Sequence, residues 1–309
     1  MKLTYTQPTK ERLDKFLVAS LEIARNKAQS LIKNNLVTVN GNATNPHHFL
    51  KSGDIVEYKQ SDIKEATKVK KFVADKSIKL PIIKETQDWI TLNKPAGMIV
   101  HPTEQMEEGS LAAALIAAYP TIKKVGDSPL RPGIVHRLDK QVSGVMIVAK
   151  NQKMFEWLKW MFSHRKVNKE YTALVHGELT QDSGIIDLRI SRSTTKKRMA
   201  AHPQGSELGK EALTSYTVLK RFRNFTLVSV TIHTGRTHQI RAHFNALNHP
   251  IVGDKLYKQR FIKEHLDLDR LFLHSTKLEF TDKAGVTHTY HAPLPKELER
   301  LLTTLTPRA

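Results

Sequence analysis

Apolar and polar residues recur along this chain with two different periods, and the period changes where the elements change. Residues Glu11 to Val18 carry a helical pattern. A second helix is predicted over Arg25 to Lys33, because Ala24, Ala28, Leu31 and Ile32 fall on one face at helical spacing. On the opposite side Arg25, Gln29 and Lys33 stand at i, i+4 and i+8 and form a polar stripe. Asn34-Asn35 can stop the helix. Leu36 to Asn40 then alternates as a short strand into Asn40-Gly41, a dipeptide that favours a tight hairpin turn. A further strand is predicted at Asp54 to Tyr58. Gln60 to Leu80 is Lys-rich and weakly periodic, which reads as a flexible, charged linker.

Pro81 opens a larger unit. WITLNK (Trp89 to Lys94) reads as a strand. Ser110 can cap a helix that runs through Ala118 and ends near Pro120. Gly133 to His136 and Gly144 to Lys150 read as short apolar strands around a polar loop. Met154, Phe155, Leu158, Met161 and Phe162 make one helix face, a stripe of the kind that packs a core. YTALVHG and TLVSVTI are strands, and Ile240, Phe244 and Leu247 mark a helix that follows Gly235 and Thr237. No regular βαβ rhythm appears. The predicted class is α+β, with a mixed, mostly antiparallel sheet flanked by helices.

The 309 residues allow about two domains at roughly 150 residues each. Lys and Arg total 49 against 30 Asp and Glu, a formal charge of +19. That excess points to a polyanionic partner, nucleic acid or an anionic membrane. The longest apolar run, Leu111 to Tyr119, is less than half of the ~20 residues a membrane span needs, and the N-terminus lacks a signal-peptide core. A soluble protein without membrane attachment is expected, and nucleic acid is the better partner. The absence of cysteine removes thiol nucleophiles, disulfides and Cys-ligated metal.

Four loci carry candidate chemistry. Asp139 lies in a loop between two apolar strands, flanked by Arg137 and Lys140, cations that favour its ionised form. It suits a nucleophile or a base, and equally a structural aspartate paired with Arg137. In HTGRTHQIRAH, Arg241 falls near a helix N-terminus, where a cation is disfavoured unless an anion faces it. His233, His238 and His243 share no helix face, so hydrogen-bonded packing is expected of His238 and His243 rather than metal binding. Tyr171 begins the strand of KEYTALVHG and reads as a core or edge aromatic. Pro95 and Gly97 fix a turn in NKPAGMIVHP, whose lysine and histidine could touch phosphate.

Taken together, NKPAGMIVHP, PGIVHRLDKQVSGVMIVAK, KEYTALVHG and HTGRTHQIRAHFNALNHPIVGDKLY resemble, in order and spacing, the RluA-type pseudouridine synthases over residues 81–305. RLDKFL, ARNKAQSLIKNNLVTVNG and LKSGDIVEY resemble the S4 RNA-binding domain. That domain in front, with RSTTKKRMAAHPQG, is most similar to the RluD-like branch, which modifies large-subunit ribosomal RNA. The resemblance implies an S4 domain over 1–60, a basic linker over 61–80 and a catalytic domain over 81–309. It implies that Asp139 is the catalytic aspartate and that Arg137 helps hold RNA open around the flipped nucleotide. It further implies that Tyr171 stacks on the target uracil and handles the C5 proton, and that Arg241 pairs with Asp139. Arg25, Lys27, Gln29, Lys33 and Arg236 become candidate RNA contacts. Gln141-Val142 stand where the family usually has Asp-Thr, which puts local loop hydrogen bonding in question.

The reaction implied converts uridine in RNA to its C5-linked isomer, so no cofactor or metal is expected. A cytoplasmic monomer is expected. Asp139 can serve as nucleophile at C1′ or base at C2′, and both roles stay open. Three other readings stand: a non-catalytic S4-containing RNA-binding protein, a nucleoside or glycoside hydrolase, and a synthase acting on transfer RNA or small nuclear RNA.

Overall fold

A computed structural model describes residues 1–23, 25–59, 61, 63, 73–102, 109–196, 198–259, 262 and 266–308. Ala24, predicted on the buried helix face, and most of the predicted linker (60, 62 and 64–72) lie outside the described residues. The chain forms two compact units, residues 1–72 and 73–309. Residues 73–80 go with the second, where the Asp75 amide donates to the Ala113 carbonyl.

The first unit packs α1 (Leu13–Leu21) and α2 (Arg25–Lys33) on a small sheet. Its strands are β1 (Lys2–Thr4), β2 (Glu11–Arg12), β3 (Val37–Val39), β4 (Asn42–Ala43), β5 (Phe49–Leu50) and β6 (Ile55–Tyr58). The main sheet runs β1-β6-β3-β4, and β2 pairs with β5 beside it. Leu13, Leu17, Ala28, Leu31, Ile32, Val37 and Val56 are buried in its core, which is the apolar face that the helical period marks. The first helix starts two residues later than its pattern, because Glu11 and Arg12 pair with Phe49 and Leu50. Asn40 and Gly41 both take left-handed backbone (φ 50° and 79°), as the turn between β3 and β4 requires.

The second unit is built on a nine-stranded sheet. Its strands are β7 (Ile82–Glu85), β8 (Trp89–Lys94), β9 (Ser143–Ala149), β10 (Asn168–His176) and β11 (Ser183–Asp187), then β14 (Leu213–Phe222), β15 (Phe225–Ile232), β16 (Leu273–Thr281) and β17 (Thr287–His291). The order is β11-β14-β15-β10-β16-β9-β8-β7, with β17 on the free half of β16. A separate hairpin, β12 (Arg189–Arg192) and β13 (Met199–His202), stands apart from it. Among the described strands of the sheet, the parallel pairing joins β16 to β9. There Gly144 sits so close to Ser275 that a Cβ would lie 2.2 Å from its carbonyl oxygen. Gly144 therefore fixes the junction from which the Asp139 loop leaves the sheet.

The helices are α3 (Leu111–Ala118), α4 (Gln152–Ser163), α5 (Gln239–Ala246) and α6 (Lys296–Thr304). Ser110 caps α3 by accepting from the Ala113 amide, and Asn151 caps α4 by accepting from Met154. Met154, Phe155, Leu158 and Met161 are buried as their spacing predicts.

Gly133 to His136 is not a strand, although its apolar run reads as one. It makes only an isolated bridge, Ile134 to Val148. Gly133 has φ +67°, and the His136 ring takes over as acceptor, with Nε2 receiving the Ile147 amide at 3.0 Å. A side chain thus satisfies the edge of β9 where a backbone partner would have been.

Candidate active site

The Asp139 loop and the start of α5 face each other across one cavity of about 560 Å³. Its lining includes Arg137, Asp139, Phe162, Arg165, Lys169, Tyr171, Arg236, His238 and Arg241. Asp139 is its single carboxylate among the described residues.

The loop holds its shape without help from a hydroxyl. The Val142 amide donates to the Asp139 carbonyl at 3.1 Å, closing the turn through backbone, while Val142 itself is buried. Gln141-Val142 therefore leaves the turn that presents Asp139 intact. Lys94 is fully buried, and its ammonium donates to the carbonyls of Pro95, Met98 and Lys140. It ties the NKPAG turn to the Asp139 loop and does not present its charge to a phosphate. Burial and the neighbouring Arg270 outweigh the Asp139 charge and lower its pKa to about 7.

Arg241 comes from the first turn of α5. Its Nη1 donates to Asp139 Oδ2 at 3.0 Å. Nε and Nη2 donate to the two oxygens of Asp254 at 2.7 and 2.9 Å, a bidentate pair. The cation near the helix N-terminus thus faces two anions, where the sequence called for one. Burial opposes the charged form of Arg241, and the Asp254 and Asp139 carboxylates outweigh it, so the guanidinium is held more firmly charged than usual. Asp254 is itself buried. The preceding Gly253 has φ +78°, and a Cβ there would lie 1.9 Å from the Arg270 carbonyl oxygen, so the turn presenting Asp254 requires glycine.

Gln239 fixes the turn that leads into α5. Its amide oxygen accepts from the Thr234 hydroxyl and the Arg236 amide, and its nitrogen donates to Leu213 and Thr214. Arg236 reaches the cavity while its Nε donates to the Glu211 carbonyl. His238, at the helix N-cap with φ 53°, stands 3.6 Å from Asp139. Burial pushes its pKa down in spite of the Asp139 charge, so at neutral pH this contact is not an ion pair. His243 packs as expected, bonded to Thr214 and Leu188.

Tyr171 projects from β10 into the cavity and is almost wholly buried. Burial holds its phenol protonated well above the ordinary range, and the Asp139 charge adds to this. Lys169, two residues earlier on the same face, also lines the cavity. Both Asp254 and Lys169 escaped the sequence reading. Asp254 has no local signal, but strand alternation with Tyr171 would have placed Lys169 on the cavity side.

The candidate RNA contacts of the first unit divide. Arg25 Nε and Gln29 Nε2 donate to the buried carboxylate of Asp14 at 3.1 and 2.7 Å, so both have structural partners that the stripe pattern does not reveal. Lys27 and Lys33 are exposed. Arg137 is exposed at the cavity edge.

Residues 88–246 match the model of the RNA pseudouridylate synthase family, and residues 11–56 match the S4 domain. This chain belongs to the RNA pseudouridine synthases. A Bacillus subtilis relative, described as an uncharacterized RNA pseudouridine synthase, is 36% identical over 96% of this chain and 94% of its own. The ribosomal large subunit pseudouridine synthase D of Yersinia pestis is 36% identical over 96% of this chain and 91% of its own. Among solved structures, human RNA pseudouridylate synthase domain containing 1 superposes with a TM-score of 0.59 at 27% identity, covering 75% of this chain and 89% of that one. The synthase carries an S4 domain at its N-terminus and a larger mixed α+β unit behind it. No described helix is long and apolar enough to cross a membrane.

Proposed function

We propose that this synthase isomerises uridines of large-subunit ribosomal RNA, with Asp139 as its catalytic carboxylate. The observation that carries the reading is the Asp139–Arg241–Asp254 chain, which leaves one oxygen of a charged aspartate without a hydrogen bond at the edge of a nucleotide-sized cavity. Relatives named for the large ribosomal subunit support the substrate. A hydrolase with two flanking acids fits less well, because Asp139 has no second carboxylate beside it in the cavity among the described residues.

The target nucleotide leaves its stack at a cost of a few kcal/mol, and the Tyr171 ring replaces the lost stacking. Asp139 acts at the sugar, as nucleophile on C1′ or base at C2′, while Arg241 holds its Oδ2 and orients it. The base turns and C5 joins C1′. Tyr171, a buried phenol that lines the cavity beside Asp139, handles the C5 proton by relaying it to the released Asp139 carboxylate. Arg137 and Arg236 contact the opened strand, and residues 1–60, with the exposed Lys27 and Lys33, hold flanking RNA ahead of a linker that ends where residues 73–80 join the catalytic unit. The enzyme works as a monomer in the cytoplasm.

The test is chemical mapping of pseudouridine in ribosomal RNA from cells with and without this protein, repeated with purified enzyme and transcript. Loss of defined large-subunit sites in the deleted strain is expected. An unchanged large-subunit map with missing sites in transfer RNA would reject the substrate.

A further inference from the structure

Among the described residues of the larger unit, three Lys or Arg side chains are buried, and two of them are fully accounted for. Lys94 is held by three carbonyls. Arg270 is held by Glu297, the Ser143 hydroxyl and the carbonyls of Leu271 and Leu273. Lys169, only 7% exposed, has neither a hydrogen bond nor an ion pair among the described residues. Its Nζ lies 5.5 Å from the Phe162 ring centroid, and that ring stacks on His136 at 4.5 Å. His136 offers no charge in return, since burial and Lys169 itself hold it neutral. The adjacent Glu170 faces the other side of the strand, where it accepts from Ser229.

The Lys169 Nζ has no protein acceptor among the described residues and opens on the cavity rather than being sealed from it. A largely buried side chain thus holds a charge toward the space a ligand would fill, at a cost in desolvation that no protein group offsets. Burial lowers its pKa to about 8, which leaves it mostly charged at neutral pH. It lines the same cavity as Asp139 and Tyr171 and shares a strand face with Tyr171. Arg137 and Arg165, which also line the cavity, are exposed, whereas Lys169 and Tyr171 are buried.

We propose that Lys169 is a further catalytic residue whose missing acceptor is a carbonyl oxygen of the target uracil, and that it stabilises the base as an anion while it is detached from the sugar. The inference rests on the synthase reading above. When the N1–C1′ bond breaks, its electron pair leaves with the base, and the negative charge spreads over N1, O2 and O4. The sugar is made good at Asp139, by a carboxylate–C1′ bond or by transfer of the C2′ proton to the carboxylate. Lys169 donates a hydrogen bond to the charged carbonyl without giving up its proton. C5 then bonds to C1′ as Asp139 is released or returns the C2′ proton. The freed Asp139 carboxylate takes the C5 proton, N1 takes one from solvent and the carboxyl returns its own to solvent, so that the product is an isomer of the substrate.

Lys169→Met tests this. The expected result is a fall in kcat of about a hundredfold, RNA affinity within about twofold of wild type, and a melting temperature without RNA equal to or above wild type. Weakened RNA binding with kcat retained would make Lys169 a phosphate contact and overturn the proposal. A lower melting temperature would make it a structural residue and overturn it as well, as would unchanged kinetics. A wild-type enzyme that makes no pseudouridine in ribosomal RNA would defeat the substrate reading separately. The melting arm still decides whether the unpaired ammonium burdens the free protein.

Discussion

Asp14 in the first unit and Asp139 in the second are both aspartates gripped by arginine, and they are used in opposite ways. Asp14 is completely buried and accepts four hydrogen bonds, two from Arg12 and one each from Arg25 and Gln29. Burial opposes its charge, but those donors outweigh it and hold its pKa down to about 2. The carboxylate is a knot joining the start of α1 to α2. Asp139 accepts one charged hydrogen bond through Oδ2 and keeps Oδ1 for the cavity. Its arginine is held in place by a second acid, Asp254, so that one aspartate is spent on orientation and the other is left open. The difference lies in saturation: four donors close a carboxylate, and one donor on a pre-oriented guanidinium leaves it available.

The sharpest way to break this contrast is Asp139→Asn. Turnover should fall by at least about a thousandfold, with RNA affinity kept, as measured by pseudouridine formation beside filter binding. Asp254→Asn should come next. It loosens Arg241 without touching the cavity carboxylate, and a misplaced guanidinium should cost about a hundredfold in kcat. Asp14→Asn should leave kcat at saturating RNA intact and destabilise the first unit by about 2 kcal/mol, seen as faster amide exchange confined to residues 1–59.

The wild-type first unit should show the same loss on acidification. A carboxyl whose folded pKa lies below its unfolded value of about 3.9 stabilises fully above that value. The contribution disappears as pH falls toward 2, and Asp14→Asn should show a shallower slope in that window, the remainder coming from Asp54 and Glu57, whose carboxyls are also held below their usual range. The smallest effect belongs to the exposed Lys33. Replacement by Ala should lower the salt slope of RNA binding by about one.

Local features were legible. Trp89–Lys94, Arg25–Lys33 and the Ser110 cap need only their own side chains to declare themselves. The loop of Asp139 and the turn before α5 were also visible, since each is bounded by apolar runs. What was hidden depends on partners far away in sequence. Nothing in the local pattern marks Asp14, whose donors Arg25 and Gln29 stand 11 and 15 positions further on. Asp254 sits in a turn with no periodicity, and only its 2.7 Å contact with Arg241 reveals its use. Gly133–His136 misled because backbone pairing with β9 stops at the Gly133 carbonyl and one isolated bridge, and a histidine ring takes the next amide.

The position of β16 has a consequence for biosynthesis. It lies between β9 and β10, although it follows both in the chain by about a hundred positions. A nascent polypeptide emerging from the ribosome therefore holds two half-sheets that cannot join until the segment Leu273–Thr281 is threaded between them. Until then Asp139 and Tyr171 belong to separate pieces, and the unfinished enzyme has no working centre to turn on the ribosomal RNA around it.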